Sequence, residues 1–115
     1  MKKAEKCSKK EIKFSNAQSK KAFEKLPKEI RTIFAGELED VIAYGLEPTI
    51  LFEPLFDKVI ELKRNGSPAY RCAYKVLEDC VVVLHSFKKT TEGPDKKNME
   101  TVKARLKSLD SKQFC

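Results

Sequence analysis

The chain reads as an α+β domain in which an N-terminal helix hairpin packs on a small antiparallel sheet, in the order β-α-α-β-β-β-α. Three observations predict this. Apolar residues recur at three- and four-residue spacing between Ile30 and Ile42, the period changes to alternation after Leu55, and turn signals separate the alternating runs. At 115 residues the chain can bury one core without metal or disulfide staples. A single domain over 11–115 is therefore expected, preceded by a Lys-rich, aperiodic arm at 1–10.

Taken in order, Glu11 to Phe14 forms a short strand. Ser15 then reads as a helix N-cap, with Gln18 completing a capping box, and a first helix runs to about Leu26. Pro27, followed by Lys28 and Glu29, restarts helical structure, because proline suits the first turn. The stripe Ile30, Ile33, Phe34, Leu38, Val41 and Ile42 gives the second helix its buried face, and Gly45 and Pro48 end it.

The next segment, Leu55 to Arg64, reads as one strand, with Phe56, Ile60 and Leu62 on one face and Val59 among charges on the other. "RNGSP" at 64–68 is a turn whose Asn-Gly pair is a strong hairpin signal. Tyr70 to Leu77 alternates again, Glu78-Asp79 reverses the chain, and Cys80 to Phe87 is the most apolar strand and so the expected centre of the sheet. "TTEGPD" breaks that strand. Met99, Val102, Leu106 and Leu109 then mark a closing amphipathic helix from Lys97 onward.

The net charge of +7 favours a polyanionic partner such as nucleic acid, but the charge is uneven. Residues 32–62 carry one Lys or Arg against seven Asp or Glu, whereas residues 1–31 carry eleven against four. The molecule is thus two-faced, and most of these charges taken singly belong to solvated helix faces, Glu37 and Asp40 among them. No run approaches the length of a membrane span, and the start "MKKAEKCSKKEIKF" lacks the apolar stretch of a signal peptide. A cytoplasmic protein with no membrane partner is the expectation. Cys7, Cys72, Cys80 and Cys115 are irregularly spaced and form no CxxC pair, and the single histidine does not complete a zinc site. They read as reduced thiols, with no metal and no cofactor expected.

Candidate chemistry gathers on the strands. If the hairpin turns centre near Gly66–Ser67 and Leu77–Asp79, Lys63 faces Arg71, and Arg71 faces His85. Directly opposed residues project from one face with Cβ atoms about 5 Å apart, so the three would form a row of ionisable groups. Like charges opposed in this way are destabilising unless an anion lies between them. Arg offers a planar fork to phosphate oxygens, Lys a point charge, and His a proton carrier near neutrality. RNA cleavage by the neighbouring 2′-OH requires a base, cations for the developing phosphorane and an acid for the leaving oxygen, with no metal. Lys63, Arg71, His85, Lys88 and Lys89 supply these types, Arg64 adds a cation beside them, and Phe87 can stack on a base. The plainer reading is a strand histidine without a catalytic task, flanked by solvated cations, with Phe87 in the core.

Several strings together resemble the RelE/HigB-like toxins of type II toxin–antitoxin systems: "FEKLPKEIR" in the helix hairpin, "VIELKRNG", "AYRCAY" and "VVVLHSFKKTTEGP" on successive strands, and "TVKARLKSL" in the last helix. They cover about residues 14–109. The resemblance implies a RelE-like fold and a toxin that cleaves mRNA, commonly on the ribosome, under the control of a cognate antitoxin, often a helix-turn-helix protein. It places Lys63, Arg71 and His85 in the catalytic group, with Phe87, Lys88 and Lys89 beside them, and these last three together with Arg64 are expected to contact RNA. Relatives frequently separate the Phe from the Lys pair by one more residue, which leaves the correspondence of Lys88 and Lys89 open. Two other readings stand beside it: a ParE-like toxin that inhibits DNA gyrase, and a non-catalytic nucleic-acid-binding module.

Overall fold

The computed structural model describes residues 11–45, 48–66, 68–77, 80–89 and 95–109. Strand β1 (Glu11–Phe14) leads into helices α1 (Ala17–Glu24) and α2 (Lys28–Tyr44). Strands β2 (Phe52–Pro54), β3 (Val59–Arg64), β4 (Ala69–Val76) and β5 (Cys80–Lys89) follow, and helix α3 (Lys96–Leu109) closes the fold. The five strands form one sheet in the order β1-β5-β4-β3-β2. The expected arm at 1–10 and the reversals at 78–79 and 90–94 lie outside the described residues.

Four features correct the sequence reading. First, the sheet is mixed, because β1 pairs parallel to β5 while the remaining pairs are antiparallel. Strand β5 is therefore interior but not central, a position held by β4. Second, Leu55 to Arg64 is not one strand. Phe52–Pro54 forms a short edge strand, the chain turns through Asp57 and Lys58 at positive φ, and β3 begins only at Val59. Three residues ending in proline carry too little alternation to announce an edge strand.

Third, Asn16, not Ser15, caps α1. The Ser15 N–H still donates to the Val83 carbonyl at 3.0 Å, so Ser15 continues the sheet. Asn16 Oδ1 accepts from the Ser19 N–H at 2.8 Å, and Ser19 Oγ accepts from the Asn16 N–H at 3.0 Å, a capping box one residue later than expected. Fourth, the cysteines are not all reduced. Cys80 is disulfide-bonded, while Cys72 is a free and buried thiol. Wide sequence spacing carried no information about that pairing.

Helix α2 ends as expected, with Gly45 in the left-handed region at φ +66° and its N–H on the Val41 carbonyl. Its stripe buries Phe34, Leu38 and Val41 against Leu62, Cys72, Tyr74, Val81 and Val83 on one sheet face. The opposite face is covered at one end by α3, whose Val102, Leu106 and Leu109 pack on Val59, Ala73, Cys80, Val82 and Leu84. Val59 is thus core and does not stand among exposed charges. A sheet covered on both sides explains why Val81 to Leu84 is continuously apolar. Beside the N-terminal end of α3 the same face opens, and the candidate site residues lie there.

Candidate active site

Register decides what shares this open face. Lys63 pairs directly with Arg71, as the Asn-Gly turn predicts. Arg71 pairs with Phe87 and not with His85, which pairs with Ala73. Near the β4–β5 turn Val76 pairs with Val81, a register that would bring Arg71 to Ser86. A β-bulge between Ala73 and Tyr74 of β4 leaves Leu84 of β5 as the extra residue and moves the partner on to Phe87. Together the turn and the bulge displace the expected pairing by two residues, an even number, so His85 keeps its face and shifts by one row. The face therefore carries two rows: Lys63, Arg71 and Phe87, then Glu53, Glu61, Ala73 and His85.

All of these except Ala73 and His85 border a cleft of about 330 Å³. Lys63, Arg71 and Lys89 supply its cations, Glu53, Glu61 and Asp95 its carboxylates, and Leu55, Phe87 and Met99 an apolar wall. Arg71 is only 7% exposed. Its Nη1 donates to the Tyr70 carbonyl at 3.0 Å, and its Nε lies 3.9 Å from Glu61 Oε1. Lys63 Nζ lies 2.5 Å from Glu53 Oε1. Each of the opposed cations thus has a carboxylate of the next row beside it, which offsets their mutual repulsion.

The two carboxylates respond differently. The hydrogen bond and charge of Lys63 hold the Glu53 carboxyl below its ordinary range. Burial pushes Glu61 above its ordinary range, against the opposing pull of Arg71 and Lys63. Glu61 is 6% exposed on the cleft floor and is a carboxylate whose proton affinity has moved toward neutrality. It lies two residues before Lys63 on one strand, so the strand period alone puts both on one face.

His85 sits behind the cleft, partly buried, with its ring stacked on Phe87 at 5.2 Å between centroids and 26° between planes. Both ring nitrogens are engaged by α3. Nε2 is 2.7 Å from Asn98 Oδ1, and Arg105 Nη1 is 3.2 Å from Nδ1 while also donating to the Leu84 carbonyl at 2.9 Å. Burial, supplemented by the charge of Arg105, pushes the imidazole below its ordinary value although Asn98 and Asp95 pull the other way. Asn98 and Arg105 stand two helical turns apart, flanking the apolar stripe of Met99, Val102 and Leu106. Polar residues at that edge were the signal the sequence offered for them.

The structure divides the other sequence candidates. Phe87 and Lys89 enter the cleft, whereas strand alternation sends Lys88, which pairs with Tyr70 and is exposed, to the opposite face. Arg64 is also exposed and borders a second groove, which Lys63 lines as well, with Asn65 and the acidic Glu39 and Asp40 of α2. Glu37, expected on the wet face of α2, is buried, with Oε1 accepting from the Thr49 N–H at 2.6 Å and Oε2 from its hydroxyl at 2.5 Å. Among the described residues, no three His, Cys, Asp or Glu side chains converge on a metal position. No described helix is long and apolar enough to cross a membrane.

A mixed five-stranded sheet, with a helix pair on one face and a cleft lined by both cations and carboxylates beside the closing helix on the other, defines a small α+β protein of the RelE fold. The structure of a free-state E. coli toxin RelE, an arginine-to-alanine double mutant, superposes with a TM-score of 0.58 at 20% identity, over 85% of this chain and 95% of that one. The toxin–antitoxin complex RelBE2 from Mycobacterium tuberculosis aligns at a TM-score of 0.44 and 20% identity, over 70% of this chain and 91% of that chain. The family model described as phage derived protein Gp49-like matches residues 21–107, and the chain belongs to that family. No curated protein matches the sequence. The RelE-type resemblance read from the five strings is met by this fold.

Proposed function

We propose that the chain is the toxin of a type II toxin–antitoxin pair, and that its cleft cleaves mRNA by metal-independent attack of the 2′-OH. The observation that carries this reading is the opposed pair Lys63 and Arg71 with buried Glu61 beside them in one cleft. Glu61 accepts the 2′-OH proton, and the 2′-oxygen bonds to phosphorus. Arg71 and Lys63 offset the charge on the phosphorane oxygens. The bond to the 5′-oxygen then breaks, and that oxygen takes a proton from an ammonium of the cleft, Lys63 or Lys89. The products are a 2′,3′-cyclic phosphate and a 5′-hydroxyl.

Phe87 lines the cleft where a base would lie, and His85 supports it from behind instead of acting as the first proton carrier. Lys88 and Arg64, exposed outside the cleft, meet more distant RNA backbone. The net charge of +7 suits an encounter with ribosomal RNA in the cytoplasm. The cognate antitoxin, a helix-turn-helix protein in this reading, covers the cleft and silences it.

The test is expression of the wild-type chain and of Arg71→Ala and Glu61→Gln in cells. Growth arrest with mRNA cuts, lost in both folded variants and relieved by the product of an adjacent reading frame, is the expected result. Arrest without RNA cuts but with DNA damage signalling would favour gyrase inhibition. A folded protein that causes no arrest would sink both toxin readings and leave a nucleic-acid-binding module.

A further inference from the structure

We infer that Arg105 and Asn98 of α3 are positioning residues that lock the His85–Phe87 ring stack as a platform for an RNA base in the cleft. The inference rests on the ribonuclease reading for its substrate, but its geometry stands alone. Phe87 is 9% exposed and lines the cleft while its ring packs on His85. A phenylalanine at a cleft wall with nothing behind it would have rotamer freedom. Here it is backed by a second ring that is fixed at both nitrogens.

The direction of each hydrogen bond follows from the network. Asp95, immediately before α3, accepts from the Asn98 N–H at 3.3 Å and from Asn98 Nδ2 at 2.7 Å. With its NH2 committed to Asp95, Asn98 presents Oδ1 to the imidazole, so His85 Nε2 carries the proton and donates. Arg105 is donor-only, so Nδ1 accepts. The guanidinium is itself held by the Leu84 carbonyl, the bulge residue that turns His85 onto this face. One neutral tautomer in one orientation results, and burial of the ring keeps it uncharged. A neutral, immobile ring behind Phe87 leaves the cleft wall apolar where a base would stack, while Arg71 and Lys63 take the phosphate. A shifted platform would weaken base binding without removing the groups that act on phosphorus.

The test has two arms. In the free protein, the ring nitrogens of His85 are read by 15N NMR in the wild type and in Arg105→Ala, Arg105→Lys and Asn98→Ala. The wild type should show a single neutral form protonated at Nε2, and Arg105→Ala a mixture of tautomers. Unchanged ring signals in Arg105→Ala and Asn98→Ala would overturn the clamp whatever the substrate. In the second arm, mRNA cleavage is followed on programmed ribosomes. Loss of the stacked base should raise KM about fivefold or more in Arg105→Ala, with kcat nearly kept, and Arg105→Lys should restore part of it. Wild-type KM, or a fall in kcat alone, would overturn the inference. A wild-type chain that cleaves nothing would instead refute the ribonuclease reading and leave the NMR arm decisive for the clamp. Should Arg105→Ala fail to fold, Asn98→Ala, which leaves the Arg105 contact to Leu84 in place, is read by the same two criteria.

Discussion

Lys63 and Arg71 stand directly opposite each other across β3 and β4, and each has a carboxylate of its own: Glu53 for Lys63, Glu61 for Arg71. Two cations in register on one sheet face repel, and Arg71 does so while almost fully buried. Glu53 and Glu61 offset that repulsion in the free protein, and in the ribonuclease reading a phosphate entering the cleft is gripped from both strands. Replacing Arg71 by Ala should lower cleavage by about a hundredfold or more, the usual loss when one preorganised donor to a developing anion is removed. Lys63→Ala should cost less, because its ammonium is already drawn to a half-exposed Glu53. Single-turnover cleavage, with circular dichroism to verify the fold, checks both.

Glu61 links charge to pH dependence. Its proton affinity is raised by burial and held back by Arg71 and then Lys63. Removing Arg71 takes away a lowering influence, so Arg71→Gln should push the Glu61 carboxyl higher still, as read by carboxyl 13C titration. A base works only when ionised, so wild-type cleavage should climb as pH rises through the elevated Glu61 value, above the ordinary 4.5. Glu61→Gln should flatten that limb. An unchanged acid limb in Glu61→Gln would remove Glu61 from the role of base.

What the sequence allowed and what it hid follow from the same physics. The stripe from Ile30 to Ile42 and the one from Met99 to Leu109 were legible because a helix with one wet face must repeat at 3.6 residues. The Lys63–Arg71 pairing was legible because the Asn-Gly turn gives the hairpin its register. The register of β5 was not. Val81, Val82, Val83 and Leu84 are all fully buried because helices cover both faces, so alternation, which would reveal a bulge, is missing from that run. The error cost His85 its place opposite Arg71 but not its face. Glu61 was visible two residues from Lys63, yet nothing local marks a strand glutamate as buried. Asn98 and Arg105 matter only through a histidine on a strand far away in sequence.

The neutral clamp on His85 should also shape stability. Its value in the folded chain lies below the ordinary 6.5, mainly because burial disfavours the charged ring. Between the folded and unfolded values the unfolded chain binds the extra proton, so stability rises with pH across that window. The contribution is complete above about pH 6.5 and is lost as pH falls through the lower, folded value. Urea titrations from pH 7.5 down to 5 should show this decline, and His85→Asn should reduce it. A decline of equal size in His85→Asn would assign it to other groups.

Cys72 offers a prediction of the opposite kind, that nothing happens. The residue is completely buried between β3 and β5, and burial pushes its thiol up to about 12. At pH 8 almost none of it is thiolate, and only the thiolate attacks an alkylating reagent. Native protein should therefore leave Cys72 unlabelled by iodoacetamide, with full labelling after unfolding in guanidinium. Peptide mass mapping distinguishes Cys72 from the other cysteines, and rapid native labelling would contradict the packing of the core around it.

Leu84 tests whether the bulge is anchored by its side chain. It is fully buried in the cluster that α3 covers, whereas its carbonyl holds Arg105. Leu84→Ala removes packing and keeps the carbonyl, so the loss should be about 2–5 kcal/mol, set by the cavity left beside Val102. For a domain of this size each kcal/mol lowers Tm by about 4 °C, so calorimetry resolves the effect easily. Leu51→Ala is the matched control, since Leu51 is 56% exposed and its truncation should stay within about 0.5 kcal/mol of wild type. If the two variants lost stability equally, Leu84 would not be a core residue, and α3 would owe its seat to the polar clamp on His85 more than to the apolar stripe.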